Sequence, residues 1–213
     1  MRSIRVELKD LAEISSNIQA ENRTEFIAKQ KEAIYSLRNQ LLSAYFDQAI
    51  SNEHILKNEY GKPYLALDSK AHFNHSHTKQ SYALAMSAQV QDIGLDIEEL
   101  SRKVRFEALA QHAFHLEEYQ QWKALDEDPE YWFKVWTTKE AVLKASGLGI
   151  RINLNTLNTH VSAHGSGGMC QHEAIGSFAY QHYVVGHAML TVAWRAEPSC
   201  LGFQFPHIYV LQH

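Results

Sequence analysis

Near the middle of the chain, Ile93-Gly94-Leu95-Asp96-Ile97-Glu98 alternates apolar and acidic residues, the two-residue period of a strand. That period places Asp96 and Glu98 on one face and Leu95 and Ile97 on the other. Two carboxylates side by side repel unless a cation lies between them. Paired hard oxygens suit Mg²⁺, which takes one or two carboxylates together with phosphate oxygens and water. Gly94, with no side chain, lets another group approach closely. An edge strand with a solvated acidic face would carry the same pattern.

A second group of chemistry-bearing residues lies further on. Asp128-Pro129 starts a helix, with Asp128 as cap and Pro129 in the first turn, and Gly147 stops it. Within it Glu140 and Lys144 are four apart and share a face, while Lys139 lies about 100° around the axis. The pair is either a surface ion pair or part of a ligand site. Upstream, Gly61-Lys62-Pro63 is a turn that holds Lys62 in its middle, and Pro63 biases Lys62 toward an extended backbone. His72, His75 and His77 invite a zinc reading, but no Cys is close by and hard carboxylates dominate the neighbouring stretch. Lys29, Lys31 and Arg38 lie in or beside a helical segment, where they form a solvated basic face or meet an anionic ligand.

The elements that must position these residues follow from periodicity. Residues 4–8 read as a short strand and 24–46 as a helix, with Ile34, Leu37, Leu41 and Tyr45 at helical spacing. Residues 81–87 read as a strand and as the hairpin partner of the Asp96 strand. Helical pieces follow around Phe106–Phe114 and Glu117–Trp122, and Trp132 and Trp136 read as core. Residues 150–154 suggest a short strand, 163–170 a loop, 178–185 and 188–194 two strands joined at Gly186-His187, and 201–211 a last strand. Each half contains a helix followed by strands, which allows an internal pseudo-repeat.

Composition narrows the class. The 213 residues are enough to bury a sizeable core, and 45% hydrophobic with 21% charged residues is ordinary for a soluble globular protein. A net charge of −4 argues against a dedicated nucleic-acid binder. Cys170 and Cys200, without a CxxC, are too few for a disulfide framework and point to a reducing cytoplasm. The charged N-terminus has no signal-peptide core, and no apolar run reaches the roughly 20 residues of a membrane span.

Four pieces now stand in one order: Gly61-Lys62-Pro63, Phe73-Asn74-His75-Ser76-His77-Thr78, Ile93-Gly94-Leu95-Asp96-Ile97-Glu98, and Trp136-Thr137-Thr138-Lys139-Glu140-Ala141-Val142-Leu143-Lys144. The series resembles the 4′-phosphopantetheinyl transferases of the surfactin-synthetase-activating type over residues 30–150. The resemblance implies an α+β fold of two similar α/β halves related by a pseudo-twofold, residues 1–92 and 93–213, with coenzyme A in the cleft between them. It implies Mg²⁺ held by Asp96, Glu98 and Glu140. It implies coenzyme A contacts from Lys62, Ser76, His77 and Lys144, and, by a looser match, phosphate contacts from Lys29, Lys31 and Arg38. His75 departs from the family pattern, which often has a non-polar residue there. The implied activity is that of a cytoplasmic, monomeric holo-[acyl-carrier-protein] synthase. It moves the phosphopantetheine arm from coenzyme A to a serine of an apo acyl or peptidyl carrier protein, with Asp96, Glu140 and Lys144 as catalytic residues. Lys123, Lys134 and apolar helix positions after residue 101 are the candidate carrier contacts. The competing expectation is a non-enzymatic metal- or carrier-binding module using the histidines.

Overall fold

A computed structural model describes residues 2–149, 151–196 and 205–212. The chain opens with β1 (Ser3–Asp10), whose Ile4, Val6 and Leu8 alternate into the core. Asp10 ends the strand and caps α1 (Leu11–Ser15), accepting from the Ala12 N–H at 2.7 Å. Asn22 caps α2 (Arg23–Phe46) in the same way. A short hairpin, β2 (Ile55–Lys57) and β3 (Pro63–Leu65), encloses the Lys62 turn. A longer one joins β4 (His72–His77) to β5 (Ser81–Ser87). Then come β6 (Gly94–Glu99), α3 (Phe106–Ala113), α4 (Leu116–Ala124) and α5 (Pro129–Ser146). Strands β7 (Gly167–His172), β8 (Gly176–Val185), β9 (Ala188–Arg195) and β10 (His207–Gln212) complete the order.

The strands form two larger sheets, ordered β10-β1-β5-β4 and β6-β9-β8-β7. β10 runs parallel to β1; the other ladders are antiparallel. In both sheets the first strand of the unit lies beside the last strand of the following hairpin, β1 against β5 and β6 against β9. Ile4, Val6, Ala83 and Ala85 of one sheet pack face to face with Leu95, Ile97, Leu190 and Val192 of the other. Ile34 and Leu42 of α2 cover the outer face of the first sheet at Tyr82, Leu84 and Met86. Helix α5 covers the second, burying Trp132, Phe133, Val135, Ala141 and Val142 with Phe178 and Met189. Trp132 and Trp136 stack at 5.3 Å.

Three expectations about elements change. β5 and β6 are not hairpin partners: β1 and β4 occupy both edges of β5, and the link through Asp92, at φ +50°, carries the chain into the other sheet. Residues 151–153 are not a strand, and Leu154–Thr156 is a 3₁₀ turn; Ile150 lies outside the described residues. The carbonyls of Leu154 and Leu157 turn inward to the Lys139 ammonium and are lost to any ladder. Within 163–170, residues from Gly167 onward belong to β7. Their glycines hide a strand because the partner is too close for side chains: a Cβ would lie 2.5 Å from the Tyr180 carbonyl at Gly167 and 2.5 Å from its hydroxyl at Gly168. The last strand is present as β10, while residues 201–204 of that expectation lie outside the described residues.

Candidate active site

Helix α5 carries two of the site's side chains, and its placement depends on β6. A Cβ on Gly94 would lie 1.9 Å from the Ala141 carbonyl and 2.4 Å from the Ala145 nitrogen, so helix backbone rests directly on strand backbone there. The helix is aligned at its ends by Asp128, which accepts from the Glu130 and Tyr131 N–H groups at 3.1 Å, and by Gly147 in the left-handed region at φ +72°. Its rotation is fixed by Lys139. That ammonium is 1% exposed, pairs with Glu118 of α4 at 2.8 Å and donates to Leu154 O and Leu157 O. Glu118 in turn accepts from the His115 N–H and from the N–H and hydroxyl of Thr159. Both charges are fully hydrogen-bonded, which is the condition for tolerating them in a core.

Across this contact, Lys144 donates to Asp96 Oδ1 at 2.7 Å, to the Ser76 hydroxyl at 3.0 Å and to Leu95 O at 3.2 Å. Ser76 donates to the same Asp96 oxygen at 3.0 Å. β4 sends Asn74 and Ser76 toward β6, and Asn74 accepts from the Leu95 N–H at 3.0 Å. Three segments far apart in sequence therefore meet at one carboxylate. Lys144 pairs with Asp96 rather than with Glu140, its neighbour on the helix surface.

Beside this cluster lies a cavity of about 240 Å³, walled by Glu140, Lys144, Leu143, Asn74, His75, Lys62 and Tyr60. The Lys62 turn is tied to the end of α5. Asn58 Oδ1 accepts from the Tyr60 and Lys62 N–H groups, Asn58 Nδ2 donates to Gly147 O at 3.0 Å, and Lys62 Nζ donates to Ala145 O at 2.7 Å. Burial pulls the Lys62 ammonium down to about 8, against an opposing pull from Asp92. Burial also pulls the His75 imidazole down to about 3, assisted by the charges of Arg38, His77 and Lys144, so His75 is neutral at physiological pH.

Glu140 is held above the usual carboxylate range by burial and by the Asp96 charge, against Lys144, with Glu98 adding to the rise. Glu98 is raised by burial and by Asp96, against its ion pair with Arg102. Among the described residues, no three His, Cys, Asp or Glu side chains are grouped so as to share an ion. Mg²⁺, however, takes only one or two carboxylates when phosphate and water supply the rest. The donor set suits it: three hard carboxylates feel one another's charge, and Asp96 Oδ2 is buried with no hydrogen-bond partner.

Other sequence candidates lie elsewhere. Lys29 is paired with Glu25 and donates to Gln19 O. Lys31 lies 5.6 Å over the Tyr35 ring. Arg38 is buried, stacked on Tyr35 at 4.6 Å and donating to the Asn39 and Asn52 amides. None of the three is among the cavity's wall residues. His77, at the end of β4, is exposed but feels the Lys144 charge. The three histidines do not gather: alternation along β4 sends His72 to one face and His75 and His77 to the other. Lys123 is paired with Glu107 and Glu127, and Lys134 is paired with Glu130 and donates to the Ala163 carbonyl. Sequence reasoning missed Asn58, Asn74 and Tyr60. Asn58 had a readable signal, an Asn three residues before a turn glycine; Asn74 stands within the Phe73–Thr78 motif, but its partner at Leu95, like the Arg151 partner of Tyr60, comes from a distant segment.

Residues 92–194 match the family model of the 4′-phosphopantetheinyl transferase superfamily. The chain is 37% identical over 152 residues to the 4′-phosphopantetheinyl transferase gsp of Aneurinibacillus migulanus, covering 67% of this chain and 62% of that protein. It is 32% identical over 109 residues to the 4′-phosphopantetheinyl transferase Sfp of Bacillus subtilis (strain 168), covering 50% and 47%. It is 27% identical over 183 residues to the 4′-phosphopantetheinyl transferase psf-1 of Bacillus pumilus, covering 78% and 77%. The match thus spans less than two thirds of the first two relatives. The matched residues 92–194 take in β6 with Asp96 and Glu98 and α5 with Glu140 and Lys144. Through them the chain belongs to the 4′-phosphopantetheinyl transferase superfamily.

Proposed function

We propose that this chain transfers the 4′-phosphopantetheine arm of coenzyme A to a serine hydroxyl of an apo acyl or peptidyl carrier protein, releasing adenosine 3′,5′-bisphosphate. The observation that supports this most directly is the meeting of Lys144, Ser76 and Asp96 beside a cavity walled by Glu140 and Lys62. In this reading Asp96, Glu98 and Glu140 would hold Mg²⁺, which when bound neutralises charge on the diphosphate. Lys144 supplies a fixed positive charge and Ser76 a hydroxyl where the bridging oxygen gains charge as its bond to phosphorus breaks. Lys62 and His77 contact the phosphates of the donor. Glu140, whose affinity for a proton is raised by burial and by Asp96, accepts the proton that the carrier serine loses as its oxygen bonds to phosphorus.

The division into halves 1–92 and 93–213, related by a pseudo-twofold with the donor between them, belongs to the same proposal. It is supported by the order the two sheets have in common over three strands, β1-β5-β4 and β6-β9-β8, while β10 crosses from the second range to pair with β1 of the first. Two halves within one chain suit a monomer. The buried free thiol of Cys170 suits a cytoplasmic enzyme, and no described helix is long and apolar enough to cross a membrane. Lys123 and Lys134 are already paired, so the better carrier contact is Leu116 at the start of α4, 66% exposed.

The test is a mass measurement. Apo carrier protein mixed with coenzyme A, Mg²⁺ and this protein gains one phosphopantetheine per serine site. The gain is lost in EDTA and in folded Asp96→Asn and Glu140→Gln variants. Full transfer in EDTA, or by either variant, contradicts the assigned roles.

A further inference from the structure

The carbonyls where a helix ends have no partner within it. At the end of α5, those of Ala145 and Gly147 are met from the Lys62 turn instead. Asn58 Nδ2 donates to Gly147 O at 3.0 Å across 89 positions of sequence, and Lys62 Nζ donates to Ala145 O at 2.7 Å. The fit is close: a Cβ on Gly147 would lie 3.3 Å from Asn58 Nδ2 and 3.2 Å from Lys62 Cδ. The Arg151 guanidinium, 5.0 Å from the Tyr60 ring centroid, adds a contact between the same two segments.

Asn58 also closes the turn on itself. Its Oδ1 accepts from the Tyr60 N–H at 3.0 Å and the Lys62 N–H at 2.9 Å, its own N–H donates to Lys62 O at 2.9 Å, and its carbonyl accepts from the Gly61 N–H at 3.0 Å. Two cations of the cavity wall depend on this one side chain: Lys62 in the turn, and Lys144 in the last turn of α5, three residues before Gly147. Asn58 itself is not among the wall residues, so it acts through them. An amide offers an acceptor to the turn and a donor to Gly147 O from the same group. An ionised carboxylate of the same shape keeps the first and sets an oxygen against the Gly147 carbonyl in place of the second.

We propose that Asn58 is a positioning residue for the transfer: by joining the Lys62 turn to the last turn of α5, it holds Lys62 and Lys144 at a fixed spacing about the donor. This rests on the transferase reading above. The experiment measures kcat and KM for coenzyme A and for the carrier, by carrier mass gain, in wild type, Asn58→Asp, Asn58→Ala and Ile175→Val. The last variant trims a buried side chain and lowers stability about as much as losing one hydrogen bond, so it controls for stability alone. In Asn58→Asp, kcat/KM for coenzyme A should fall about tenfold to a hundredfold, up to the scale of a misplacement of about 1 Å. It should fall further in Asn58→Ala, with KM for the carrier unchanged in both and every constant unchanged in Ile175→Val. The pH midpoint near 8 that burial gives Lys62 should move up in Asn58→Ala, as the turn opens to water, and stay in Ile175→Val. A wild-type kcat/KM in Asn58→Asp, an equal loss in Ile175→Val, or an unmoved midpoint in Asn58→Ala overturns the assignment while leaving the transferase reading intact. A wild-type protein that transfers nothing overturns both.

Discussion

Replacing Gly94 by alanine tests the packing on which the site depends. The new Cβ would lie 1.9 Å from the Ala141 carbonyl oxygen, where ordinary contact begins at 3.4 Å, so strand and helix must separate by about 1.5 Å. The opposing atoms are backbone, and no side-chain rotation relieves them. Overpacking a core costs about 1–3 kcal/mol, and backbone against backbone belongs at the upper end. Taking about 3 kcal/mol, and about 2–4 °C per kcal/mol for a chain of this size, the melting temperature falls by roughly 6–12 °C. Because α5 carries Glu140 and Lys144 while β6 carries Asp96, the shift also spoils their alignment. A misplacement of about 1 Å costs about a hundredfold in rate. Thermal unfolding followed by circular dichroism, with mass-gain rates taken well below the transition, measures both effects. Trimming Ala141 to glycine in the same chain restores neither, since the clash is with its carbonyl. A Gly94→Ala protein with wild-type melting and rate would refute the close contact of α5 on β6.

The other predictions concern charge. Glu140 is raised in the folded state, so between its unfolded and folded pKa values the native state binds more protons and stability falls as pH rises. Glu140→Gln should therefore melt higher than wild type at neutral pH without Mg²⁺, with a weaker decline above pH 4.5, while losing transfer; a lower melting temperature at neutral pH would count against the repulsion. Mg²⁺ should raise the melting temperature of wild type more than that of Glu140→Gln, as read by titration of the ion into each. Lys62 titrates near 8, so KM for coenzyme A should rise as pH passes that value and the amine loses its charge; in Lys62→Arg the rise should disappear, and a persisting midpoint would assign it elsewhere. Leu116→Asp should raise KM for the carrier and leave KM for coenzyme A unchanged, with melting within about 0.5 kcal/mol of wild type because the side chain is exposed.

Much of the site was legible in sequence because its signals are local. Alternation placed Asp96 and Glu98 on a strand, four-residue spacing put Glu140 and Lys144 on one helix face, and Asp128, Pro129 and Gly147 marked that helix's ends. Gly94 announced a close approach without naming what approaches. Only the tertiary structure supplied the partner, the backbone of α5, and turned the surface pair Glu140/Lys144 into a Lys144–Asp96 bridge. The same holds for the buried Glu118–Lys139 pair, for Asn74 and for the Tyr60–Arg151 stack, which join residues 21 or more positions apart. The strand pairing around β5 was misread for the same reason: hairpin logic sees neighbours in sequence, whereas β1 claimed that edge from the far end of the half. Periodicity decides what a segment is and which way its side chains point; which segment faces it depends on how two sheets and two helices exclude water together, and that is not written in any one stretch.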